Sequence, residues 1–198
     1  KFLETSQSDE EKYIVRLRMA EAYLTMGNMG KAIDEARYAI GTRPEYPDAY
    51  HLLGNIYFNS GMMMDSAKNY ISGLTKKPPY YTIMVYNPRD YDYVPMMNLA
   101  KVYFAMQRPQ LALPLLKGCL KICPKDKNLK NIINVIKKKA DVADKIVKKV
   151  SELKDIKDKE LLKKEIDKLP QEFKSHPDVC HLRNINFIKE TSSGKDIA

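Results

Sequence analysis

The chain has no tryptophan, and among its 198 residues only three are histidine, three cysteine and eight glycine. So few histidines leave few proton carriers near neutral pH and few metal ligands, and Cys180-His181 is the one place where the two ligand types adjoin. Three cysteines cannot pair off completely, and Cys119 and Cys123 stand four apart, which suits two small apolar side chains on one helix face. That usage favours a reducing, cytoplasmic setting. No apolar run reaches the roughly 18 residues that a membrane-spanning helix needs. Ser192-Ser193-Gly194-Lys195 lacks the earlier glycine and the following hydroxyl residue of a phosphate loop, and no Ser/His/Asp or Cys/His set falls on adjacent predicted elements. No catalytic residue, metal or cofactor is therefore expected within these residues.

What is present is a 34-residue period. With Tyr13 as position 1, Ala20, Tyr23, Gly27, Ala32, Ala39 and Pro44 fall at positions 8, 11, 15, 20, 27 and 32. With Pro47 as position 1 the same positions hold Gly54, Tyr57, Gly61, Ser66, Gly73 and Pro78, and with Tyr93 they hold Ala100, Tyr103, Gln107, Ala112, Cys119 and Pro124. Two antiparallel helices approach closely only where side chains are small, so Ala20 with Ala32, and Gly54 with Ser66, mark crossing points. The tyrosines lie one turn further along the same face and read as packing between hairpins. Gly27 and Gly61 fit the turn between helices, where a left-handed backbone suits glycine, and each proline stops a second helix.

This pattern resembles the tetratricopeptide repeat. The resemblance implies an all-α solenoid of helical hairpins at 13–46, 47–80 and 93–126, after a lead-in at 1–12. Helices are expected at about 10–26, 29–42, 47–60, 63–75, 93–106 and 109–121, with Ser8 or Asp9 capping the first. A Tyr-rich insert at 81–92 interrupts the array: five tyrosines occur between Tyr80 and Tyr93, beside the turn signal Asn87-Pro88.

Beyond the repeats, apolar residues from Leu129 to Leu153 recur at spacings of three and four among lysines. They predict a long basic amphipathic capping helix over 127–155, with a break near Lys139–Asp141. A final helical hairpin over 156–189 follows, from 157–169 to 177–189, and then a linker at 190–198. Formal charge is +9, split as 15 basic against 12 acidic residues over 1–124 and 19 against 13 over 125–198. Clustered lysines attract nucleic-acid phosphates, but the interspersed acids and the placement of Lys137-Lys138-Lys139 on a polar helix face disfavour that partner. Periodicity leaves open whether Val142, Ile146, Val150 and Leu153 pack on the repeats or on a second copy, so a homo-oligomer stands beside protein and peptide as a candidate partner.

The repeat resemblance also implies that the first helix of each hairpin lines a concave surface. The groove residues are then Leu17, Glu21, His51, Asn55, Phe58, Asn59, Met97, Asn98 and Lys101, facing a protein or extended peptide. Side-chain amides such as Asn55, Asn59 and Asn98 both donate to and accept from a peptide backbone. Contacts from the insert fall to Tyr81, Tyr86, Arg89 and Tyr91, because tyrosine offers a large contact area at low entropy cost. Chaperone-binding relatives use Lys and Asn where this chain has Leu17 and Glu21, which counts against an acidic C-terminal ligand. The segment Tyr86–Tyr93 running into Met97-Asn98-Leu99-Ala100, and the ending from Leu182 to Ala198, resemble glycosyltransferases with an N-terminal tetratricopeptide region. That likeness implies a recruiting or assembly arm ahead of a sugar-transfer domain. The alternatives are a free-standing adaptor or co-chaperone, and a basic nucleic-acid-binding helical protein.

Overall fold

The computed structural model describes residues 8–77 and 87–187, apart from the side chains of 172 and 185–187. The chain divides into two compact units, 1–136 and 137–198.

The first unit is built from hairpins: α1 (Asp9–Thr25) with α2 (Met29–Thr42), α3 (Asp48–Asn59) with α4 (Met63–Leu74), and α5 (Tyr93–Ala105) with α6 (Pro109–Ile122). It closes with the opening turns of α7 (Lys127–Lys154). Ser8 caps α1 by accepting the Glu11 N–H at 3.3 Å, and the acids of the first turn suit the positive end of the helix dipole. The Asp126 carboxylate caps α7 in the same way, accepting from the Leu129 N–H at 2.9 Å.

All three hairpins turn by one device. The N–H groups of Asn28, Met62 and Arg108 donate to the carbonyls of Tyr23, Tyr57 and Tyr103, each at 2.8 Å. This bond closes the preceding helix in the Schellman manner, which places the intervening residue in the left-handed region. Gly27 and Gly61 occupy it at φ 75°, whereas the third hairpin holds Gln107 there at φ 57°.

Small residues set the crossings as their spacing predicts. Ala20 and Ala32 are fully buried, and the Ser66 hydroxyl donates to the Gly54 carbonyl at 2.7 Å, so a short side chain both permits the approach and satisfies a backbone acceptor. Between hairpins, the Arg37 guanidinium donates to the Tyr57 hydroxyl at 2.9 Å. Within the first hairpin, Arg16 pairs with Glu35 at 2.6 Å and lies over the Tyr38 ring. Cys119 is buried, and desolvation raises its thiol to about 11, an inert packing residue of the third hairpin.

Helix α7 continues without the break expected near Lys139–Asp141. Ala140 and Ala143 are buried there, and three consecutive lysines are no obstacle to a helix whose apolar stripe continues on its other face. In the second unit, the stretch of α7 from Ile146 to Leu153 packs with Leu162 and Ile166 of α8 (Lys159–Asp167) and with Val179 and Leu182 of α10 (Pro177–Phe187). The face carrying Val142, Ile146, Val150 and Leu153 is thus covered by elements of its own unit. A four-residue helix, α9 (Gln171–Lys174), sits after Pro170, too short to leave a period in the sequence.

Candidate functional site

The first helices of the second and third hairpins, with α6 and the start of α7, enclose an apolar cleft of about 440 Å³. Phe58 of α3, Met97 and Phe104 of α5, Leu116 of α6, and Ile132 and Ile136 of α7 form its walls. Buried Ala100 and exposed Ala105 also line it, and their short side chains leave the space open. Phe104 is 39% exposed and Ile132 43% exposed, so the cleft presents aromatic and aliphatic surface to solvent. Among the described residues, the only charged side chain lining it is Lys101.

A smaller polar recess of about 200 Å³ adjoins it, sharing Phe58 and Lys101 and adding Asn55, Tyr70 and Asn98. These side chains are tied in two hydrogen-bonded pairs. Lys101 Nζ donates to Asn98 Oδ1 at 3.3 Å and the Tyr70 hydroxyl donates to Asn55 Oδ1, while the Asn98 amide acts on the Tyr70 phenol from the other side. Burial pushes the Tyr70 phenol up to about 12 against the opposing pull of the Asn98 bond, so it remains a donor at neutral pH.

Of the residues expected to line the groove, Asn55, Phe58, Met97, Asn98 and Lys101 are brought together here. Leu17 and His51 are placed otherwise. Leu17 is only 6% exposed within the core of the first two hairpins. The His51 ring turns into the slot left by Gly73, and a Cβ at Gly73 would lie 2.3 Å from it. Desolvation there lowers the imidazole to about 4, so it is neutral and packs beside Tyr70. Glu21 pairs with Arg18 at 2.7 Å, and Asn59 is exposed at the end of α3 outside both recesses. Position in the repeat could not expose the His51 exception, but the pairing of a ring at position 5 with the smallest residue at position 27 could have.

Tyr81 and Tyr86 of the insert lie outside the described residues. Arg89 is exposed in a 3-10 turn, Pro88–Asp90. Tyr91 serves as a tether: its hydroxyl donates to Asp48 Oδ1 at 3.0 Å. The other Asp48 oxygen faces the Tyr13 hydroxyl at 3.5 Å, and that hydroxyl oxygen accepts from the Ala49 N–H at 3.1 Å. Desolvation raises the Asp48 carboxyl despite these bonds. No group of three or more metal-ligating side chains occurs among the described residues, and no described helix is long and apolar enough to cross a membrane.

Stacked antiparallel hairpins with small crossings and Schellman turns make this an all-α solenoid of tetratricopeptide type. A solved structure described as the first TPR of Spaghetti (RPAP3) bound to the HSP90 peptide SRMEEVD superposes with a TM-score of 0.54 at 17% identity, over 66% of this chain and 97% of that one. At that identity the likeness concerns the fold. No family model matches the sequence, and no curated protein matches it.

Proposed function

We propose that the chain is a peptide-binding scaffold whose site is the paired cleft and recess on α3, α5 and α7. The observation that carries this reading is their adjacency: an apolar cleft open to solvent lies directly beside a row of side-chain amides and an ammonium. The first supplies burial and the second supplies hydrogen bonds to an extended backbone, the combination that peptide recognition requires. The structural neighbour, of the same fold, holds a peptide, which supports the assignment.

Replacing Asn55 and Asn98 together by alanine is expected to weaken capture of binding partners in pull-downs, with folding checked by circular dichroism. Undiminished capture by the folded double variant would move the site elsewhere. The finer reading, a recruiting or assembly arm of a larger glycosyltransferase-like protein, stands on the segments at 86–93 and 182–198. A nucleotide-sugar domain following Ala198 in the full-length protein would support it, and a natural stop there would leave the free-standing adaptor.

A further inference from the structure

The hydrogen bonds within the recess give the site a polarity. The acceptors Asn98 Oδ1 and Asn55 Oδ1 each already take one hydrogen bond, from Lys101 and from the Tyr70 hydroxyl. What remains toward the opening is mostly donors, the Asn55 amide N–H pair and the further N–H groups of Lys101. Among the described residues no carboxylate lines either the recess or the cleft, and Lys101 has no ion-pair partner. Apart from Lys101, the side chains lining the neighbouring cleft are all apolar.

We infer that the partner is an extended internal segment in which a large aliphatic or aromatic residue is flanked by a single Asp or Glu. The apolar side chain enters the cleft over Ala100 and Ala105, and the flanking carboxylate accepts from Lys101 and the Asn55 amide. This rests on the peptide-binding reading above and narrows it. Three features choose this occupant. A basic segment would set its cations against Lys101 with no acid nearby. An amphipathic helix has its backbone groups already paired and has no use for the donor row. A chain terminus ending in an acidic residue would bring two carboxylates to one ammonium.

The test is selection of random peptides displayed on phage, both as internal inserts and with free C-termini, against the intact chain and two variants. Lys101→Glu reverses the charge at the rim, and Ala105→Trp fills the cleft from an exposed position without entering the core. The wild-type chain is expected to enrich internal inserts pairing a large apolar residue with a neighbouring acid. Peptides so selected should bind Lys101→Glu about tenfold more weakly or worse, while selection on that variant shifts to basic neighbours, and Ala105→Trp should abolish their binding. Enriched peptides that need Asn55 yet lack the acid, lack the apolar residue or require a free C-terminus would overturn this inference and leave the scaffold reading standing. No enrichment by folded wild-type protein would overturn both. A change in sedimentation of Ala105→Trp from dimer to monomer would show that the cleft binds a second copy, and would likewise overturn the inference.

Discussion

His51 should make the hairpin stack acid-sensitive in a defined window. Its half-buried ring lies against Gly73 and Tyr70, and its buried Nε2 has no partner among the described residues. A proton added there would be a buried, unpaired charge. The folded-state value of about 4 lies below the unfolded value of about 6.5. The neutral ring therefore contributes stability that is present above about pH 6.5 and is lost as the pH falls toward 4. Linkage over that interval gives a loss of about 2 kcal/mol between pH 7 and 5, growing to about 3 kcal/mol at pH 4. That is a large share of the roughly 5–15 kcal/mol by which a domain is stable.

Asp48, whose carboxyl is raised by burial, works in the opposite direction and relieves part of the loss in acid. His51→Phe removes the titration while keeping a ring in the slot, so the difference between the two pH profiles isolates the imidazole whatever the absolute stability of the variant. Urea unfolding from about pH 7 to 4.5 should give a wild-type curve that falls more steeply than the variant's. Proton NMR should place one of the three histidines near pH 4. Parallel curves, or three histidines all titrating near the ordinary value of about 6.5, would refute the reasoning.

Two further perturbations follow from the packing. Gly73→Ala drives a methyl into the His51 ring and should destabilise by about 1–3 kcal/mol, a loss partly recovered in Gly73→Ala with His51→Ala; thermal melts of the single and double variants decide it. Gln107→Gly places the residue that the turn prefers at a left-handed position and should stabilise by about 1 kcal/mol, so a lower melting temperature would show that the Gln107 side chain makes a compensating contact.

Much of the scaffold is readable from residue type and interval. Gly54 and Ser66 are twelve apart, both small, and they meet at a helix crossing through a hydrogen bond. Gly27, Gly61 and Gln107 share position 15, and the left-handed turn recurs even where glycine does not. The binding face is less legible, because a position in the repeat fixes the direction of a Cα–Cβ bond but not whether the opposite helix leaves room for the side chain. Asn55 and Asn98 stay at the opening because Tyr70 and Lys101 hold them there. His51 withdraws because Gly73, twenty-two residues later, vacates a slot, and Leu17 is drawn into the apolar core of its hairpins. The apolar face of α7 follows the same rule: Ile146 and Val150 find their partners in α8 and α10, which a one-dimensional period cannot identify.

Solenoids ordinarily unfold from their ends, since each hairpin touches only its neighbours and can peel away alone. The Asp48 carboxylate makes contacts that reach beyond one neighbour. It gathers Tyr13 from the first hairpin and Tyr91 from the turn ahead of the third onto the first residue of α3, spanning 35 and 43 positions of sequence. Detaching the first hairpin strips one partner from a desolvated acid, and releasing the turn strips another, so either loss weakens what the remaining repeats rely on. A single side chain thereby joins the first hairpin and the turn ahead of the third to one residue of α3.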